Sequence, residues 1–144
     1  VSLPAISAAV LGAAAMLTDL RSRQVPNWIP ASALVAGLGW HAWSGGWRGL
    51  GMSAAGVVCG FVAFLVFYVL GGMGGGDVKL TAGFGALLGV PALFQAVLWI
   101  ALLGGIWALT TLGWRALNKK QGDETIPYAP AIVAGVWLTM WARA

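Results

Sequence analysis

Apolar residues do not alternate with polar ones along this chain. They come in long runs, separated by short polar or glycine-rich stretches. Six runs stand out, at roughly Ser2–Thr18, Trp28–Trp43, Leu50–Leu70, Val78–Gly89, Ala92–Trp114 and Ile126–Trp141. A hydrocarbon core of about 30 Å is crossed by about 20 apolar residues in a helix. Backbone in lipid has to satisfy its own hydrogen bonds, which leaves helices or closed barrels, and the period-two pattern of barrel strands is missing here. The runs therefore predict an all-α integral membrane protein, a compact bundle of six transmembrane helices forming one domain over residues 1–144. Small residues within the runs ("LGAAAM", "SAAGVVCG", "GFGALLG") suit close helix packing.

Composition agrees. Of the 144 residues, 60% are hydrophobic and 8% charged, and the mean hydropathy is +0.86; a soluble domain carries about 25% charged residues. The cations are spread unevenly. Arg21, Arg23, Lys79, Arg115, Lys119 and Lys120 fall in the first, third and fifth connections, against Arg48 and Arg143 on the other side. The positive-inside rule then puts those three connections in the cytoplasm and both termini outside. The first run is not read as a signal peptide, because its basic residues follow it. Trp28, Trp40, Trp43, Trp47, Trp99, Trp114, Trp137 and Trp141 lie mostly near the run ends, as interfacial anchors do. The single cysteine, Cys59, excludes an intrachain disulfide and a paired-cysteine zinc site, and reads as a small buried hydrophobe. His41, the only histidine, reads as an interfacial structural residue. Membrane lipid is the expected surrounding; no nucleic acid, metal or cofactor is called for.

The chain has four acids, Asp19, Asp77, Asp123 and Glu124, all on the basic side of this layout. Asp123 and Glu124 sit in "NKKQGDETIP", a polar connection that suits solvated carboxylates. Asp19 and Asp77 each abut an apolar run. Asp19 closes "AAVLGAAAMLTDL" at a helix C-terminus, where the macrodipole disfavours an acid; pairing with Arg21 or Arg23 is its plain structural reading. Asp77 follows "GGMGGG" and opens the fourth run, where an acid is a natural cap. From Asp77 to Gly89 that run has 13 residues, about 20 Å of helix against a core of about 30 Å. Either the membrane thins there, or Asp77 begins its helix below the surface. In the second case the glycines dip inward to reach it, using positive φ and close backbone packing.

Ionisable residues at membrane depth are costly and point to function. Two carboxylates that converge do not readily both ionise, so the pair shares a proton and titrates as a unit. One then acts as base toward a water while the other donates to a substrate carbonyl. That is the aspartic-protease route to peptide hydrolysis. The alternative is a proton-coupled transporter or channel subunit with Asp19 and Asp77 as its proton relay. Against it, both acids lie near one face, and no inverted repeat is visible. A non-catalytic scaffold of a secretion machine is a third reading.

"GGGDVKL" contains Gly74-x-Gly76-Asp77, the GxGD signature of intramembrane aspartyl proteases, and "DLRSRQVPNW" gives Asp19-x3-Arg23-x2-Pro26-Asn27. With both in order at one membrane face, and "IPYAP" following at Ile126–Pro130, the whole chain resembles the type IV prepilin peptidase family. The resemblance implies an endopeptidase that removes the basic leader of type IV prepilins or pseudopilins at the cytoplasmic face of the bacterial inner membrane. It implies Asp19 and Asp77 as the catalytic pair, and Gly74 and Gly76 as the glycines shaping the loop before the second aspartate. Arg23, Pro26, Asn27 and Lys79 fall in supporting positions. Larger members carry a cysteine-paired cytoplasmic domain linked to N-methylation. Here the connection after the first run is under ten residues, so a minimal, peptidase-only member of the tight-adherence or Flp pilus type is expected, without methyltransferase activity. Presenilin-like and signal-peptide-peptidase-like enzymes share GxGD but place their aspartates in neighbouring helices, whereas two predicted helices intervene here. Asp123 and Glu124 would then attract the basic leader, over the roughly 8 Å that charge reaches at physiological salt.

Overall fold

The computed structural model describes residues 2–118 and 127–144. It is helical throughout its ordered elements: α1 (Leu3–Ser22), α2 (Trp28–Val69), α3 (Gly75–Leu117) and α4 (Ala129–Ala142). The all-α expectation holds, but the helix count is four among the described residues, not six. Lys119, Lys120, Asp123, Glu124 and Ile126 lie outside them.

The count differs because two of the expected connections are single glycines around which helical turns continue. Gly46 interrupts α2 at φ 54°, ψ −141°, and Gly89 interrupts α3 at φ 67°, ψ 172°. Both conformations are open to glycine and strained for any residue with a Cβ. Unbroken, helices of 42 and 43 residues would each run for more than 60 Å, roughly twice a hydrocarbon core. Each is instead doubled back into two arms. Gly37 and Gly56, on opposite sides of Gly46, abut the same stretch of α3: a Cβ at Gly37 would strike the Ala86 carbonyl, and one at Gly56 the Gly85 carbonyl. The second arm of α3 returns likewise, so that its residues Val97 to Ala108 share a groove with Met73, which precedes the first arm.

The first arm of α3 is the centre of the bundle, with every residue from Leu80 to Leu87 buried. Glycines let its neighbours approach to backbone contact, Gly60 against Thr81 and Gly83 against Pro30, the packing that suits helices without a hydrophobic driving force between them. The break at Gly89, followed by Pro91 with no N–H to give, leaves carbonyls of the last turn without helical donors. Ser53 supplies one: its buried hydroxyl donates to the Ala86 carbonyl at 2.8 Å. α4 packs on the second arm through Gly135 and Ile100. It is tied to α1 by the Trp137 indole N–H, which donates to the Ala8 carbonyl at 3.0 Å.

The outer surface is apolar. Val10, Leu17, Val58, Val62, Leu102, Ile106 and Leu109 all face outward, and α1, α2 and α3 are each long and apolar enough to cross a membrane, while α4 has 14 residues. Such a surface belongs in lipid, and the chain is a membrane protein. Two expectations are corrected. Cys59 is exposed, because the inward stripe of its arm runs through Ser53, Gly56, Gly60 and Phe64 and passes it by. Trp137 is a tie between helices rather than an interfacial anchor, whereas Trp28, Trp43, Trp47, Trp114 and Trp141 face outward. His41 holds its own helix through Nδ1 and the Gly37 carbonyl, 3.0 Å apart, near the Gly89 break.

Candidate active site

Asp19 is buried one turn before the end of α1. The helix stops at Arg23, which takes a left-handed conformation (φ 53°, ψ 30°) and donates its backbone N–H to the Asp19 carbonyl at 2.8 Å. Left-handed caps of this kind usually use glycine; among the described residues Arg23 is the one non-glycine with positive φ. The cap turns the chain sharply into Gln24–Asn27 and brings the Arg23 guanidinium into the electrostatic field of the Asp19 carboxyl. A carboxylate at a helix C-terminus is disfavoured by the macrodipole. Here α4 offsets that: the Ala129 N–H, in its first turn, is a hydrogen-bond donor to Asp19. Anions sit well at such helix starts. Asp19 Oδ2 is buried and has no hydrogen-bond partner.

Asp77 stands in the opposite context. Gly74 is the N-cap of α3, and Asp77 lies in the first turn, with its N–H bonded to the Gly74 carbonyl at 3.2 Å. Its carboxylate takes a hydrogen bond back from the Gly74 N–H, the return half of a capping box. Asp77 is 8% exposed and Asp19 6%. The charge of Asp19 is felt at Asp77, and both carboxyls line one cleft of about 550 Å³ at the end of the bundle.

That cleft gathers the residues expected to be catalytic, loop-shaping or supporting: Asp19, Asp77, Gly74, Gly76, Arg23, Pro26, Asn27 and Lys79. Lys79 Nζ donates to Asn27 Oδ1 at 3.2 Å, joining the first turns of α2 and α3 at the exposed rim. The glycines before Asp77 divide the work expected of them. Neither Gly74 nor Gly76 has positive φ; in this stretch only Gly71 does, at 77°. A Cβ at Gly74 would lie 3.6 Å from Asp77 Oδ2, and one at Gly76 3.5 Å from Val25 Cβ, which are ordinary contacts. Gly74 opens the turn that carries Asp77, its carbonyl accepting the Asp77 N–H, and both glycines leave the cleft wall beside the carboxyls unobstructed. Sequence reasoning missed Ala129, because its contribution is a backbone N–H that residue type does not mark; the Tyr-Ala-Pro run opening α4 was its one trace. Among the described residues, no three His, Cys, Asp or Glu side chains converge as a metal site.

A helical membrane bundle in which two buried aspartates, carried by different helices, line one polar cleft defines a class: a membrane-embedded protein with a candidate two-carboxyl site. Residues 6–109 match the model of the Type IV leader peptidase family, and the chain belongs to that family. Among its relatives are the prepilin leader peptidase/N-methyltransferase of Bacillus subtilis, 34% identical over 83% of this chain and 47% of the relative. Proteins of the same name from Burkholderia pseudomallei and Aeromonas salmonicida are each 30% identical, over 94% and 85% of this chain and 44% and 43% of those relatives. The chain thus spans about half the length of the curated relatives it matches. No solved structure matches it.

Proposed function

We propose that this chain is an intramembrane aspartic endopeptidase that cuts the basic leader from prepilins or pseudopilins. The observation that carries the reading is the pair of buried aspartates facing one cleft, with Asp19 Oδ2 left without a partner; membership of the family supports the substrate class. The Asp19 carboxylate, on the cleft wall, accepts a proton from a water bound there. As that water attacks the scissile carbonyl carbon, the other carboxyl, protonated, donates to the carbonyl oxygen. Collapse of the resulting diol breaks the C–N bond, and the proton taken from water passes to the leaving amine. Arg23 and the Ala129 N–H hold Asp19 against the unfavourable end of α1, while Gly74 and Gly76 leave the peptide room. Pro26 and Asn27 frame the opposite wall, and Lys79 spans the rim.

The charge distribution supports a bacterial inner-membrane location with this cleft facing the cytoplasm and both termini on the periplasmic side. Leader removal is the activity assigned to these residues; the N-methylation in the relatives' names is not. The proton-relay alternative gains nothing, since Asp19 and Asp77 open at the same end of the bundle and no other acid occurs among the described residues.

The test is cleavage of a co-expressed prepilin by the parent, Asp19→Asn and Asp77→Asn, with membrane levels checked. Asparagine keeps the shape and removes the shared proton, so each variant should lose at least about 10²-fold in rate. Near-parent cleavage by either, at normal abundance, would refute the two-aspartate reading.

A further inference from the structure

The two walls of the polar cleft are joined at its mouth by one bond. Lys79, near the start of α3, donates from Nζ to Asn27 Oδ1 at 3.2 Å, and both side chains are exposed. Asn27 is the N-cap of α2, yet its side chain makes no capping bond. The donors that a cap serves are taken or missing. The Ile29 N–H bonds the Pro26 carbonyl at 3.1 Å, and Pro30 has no N–H. The Asn27 amide carbonyl is therefore left over by its own helix, and Lys79 takes it.

Lys79 gains little stability there. One exposed hydrogen bond contributes little, and the N-terminus of a helix disfavours a cation. Among the described residues the ammonium bonds this neutral amide and not a carboxylate, although Asp19 and Asp77 line the same cleft. Residues 22–27 form one wall of the cleft, and residues 74–77 with Lys79 the other. A peptide that reaches the buried aspartates has to lie between these walls, so the bridge between them must part to admit it. The parted ammonium then needs an acceptor. A peptide carbonyl is chemically the acceptor it has just left, a neutral amide C=O.

We propose that Lys79 is a substrate-binding residue, whose ammonium exchanges the Asn27 carbonyl for a main-chain carbonyl beside the scissile bond when the peptide enters. Asn27 holds that place until the peptide arrives. The inference rests on the proposed endopeptidase activity and adds how the peptide is gripped. Lys79 and Asp77 ride on the same helix, two residues apart, so a carbonyl held by one is registered against the carboxyl of the other. Every peptide offers a main-chain carbonyl, so this grip aligns the bond without reading side chains.

Cleavage of a prepilin by the purified full chain would be measured for the parent, Lys79→Met, Asn27→Ala and Asn27→Asp. Methionine keeps the length and removes the charge and the donors. Its KM should rise about tenfold, as expected for a lost hydrogen bond to a charged group, with kcat within about threefold of the parent. Asn27→Ala frees the ammonium and should lower KM severalfold. Asn27→Asp pins it in an ion pair and should raise KM, the more so at low salt. The double variant, Lys79→Met with Asn27→Asp, should match Lys79→Met, since no ammonium is left to pin. A tie that merely joins the two helices gives the opposite order: Asn27→Asp keeps it, and Asn27→Ala loses as much as Lys79→Met. That order, or a Lys79→Met protein with the parent's KM, would overturn the inference and leave the two-aspartate reading standing. A parent that cleaves nothing sinks the endopeptidase reading itself, and this inference with it.

Discussion

Gly56 of α2 and Gly85 of α3 touch through their backbones so closely that a Cβ on either would fall on the carbonyl oxygen of the other. Replacing Gly56 with alanine forces the arms apart by about 1 Å, to restore the roughly 3.3 Å that carbon and carbonyl oxygen require. Overpacking usually costs about 1–3 kcal/mol. Here both partners are main chain and no rotamer change relieves the clash, which places the cost near the top, at about 3 kcal/mol. Alanine returns about 1 kcal/mol as a better helix former, so the net loss is about 2 kcal/mol. Gly85→Ala should cost a similar amount. The double variant should cost about 2–3 kcal/mol rather than about 4, because arms already parted by the first methyl admit the second. Gly51, on the same arm of α2 but facing open space, supplies the control: Gly51→Ala should be neutral or stabilising by up to about 1 kcal/mol. Unfolding of the purified protein from mild detergent into SDS, followed by tryptophan fluorescence, reads all four. A Gly56→Ala protein as stable as the parent, or strictly additive effects, would refute this account of the central packing.

Ser53→Ala leaves the buried Ala86 carbonyl beside the Gly89 break without its donor and should cost about 1–3 kcal/mol in the same titration. Trp137→Phe removes the indole bond to Ala8 and should cost about 1 kcal/mol, visible as a lower SDS midpoint. Breaking the Lys79–Asn27 bond at the exposed rim should matter less: a double-mutant cycle of Lys79→Ala and Asn27→Ala should give a stability coupling of no more than about 1 kcal/mol. Gly74→Ala should accumulate in membranes at the parent's level, its Cβ making only an ordinary contact with Asp77 Oδ2, yet cleave prepilin more slowly because the methyl narrows the cleft wall.

The membrane class and the candidate site were legible in the sequence for different reasons. Long apolar runs report their surroundings directly, since nothing else tolerates so little charge. Asp19 and Asp77 stood out because each acid borders such a run, and motif spacing drew in Arg23, Pro26, Asn27 and Lys79, all of which the fold delivers to one cleft. What could not be read were effects carried by backbone. A polar stretch such as Ser44–Gly49 looks like a connecting loop, yet helical turns resume directly after one glycine at Gly46. The hydrogen bond from Ala129 to Asp19 comes from a main-chain N–H that any residue but proline would offer. The glycines before Asp77 were expected to combine positive φ with close packing, because glycine-rich sequence does not say which residue serves which need; Gly71 takes the positive φ, and Gly74 and Gly76 do not. Cys59 was misplaced because a run apolar on every side does not mark which face turns inward.

α1, which carries Asp19, touches α3, which carries Asp77, less than any other contacting pair of helices does. What holds α1 in place is α2 and α4 in nearly equal measure, with Trp137 of α4 tying it at Ala8. The two carboxyls therefore behave like the jaws of a caliper joined only through its frame: the gap between Asp19 and Asp77 is set by how α2 and α4 seat on the first helix, more than by any contact between α1 and α3 themselves.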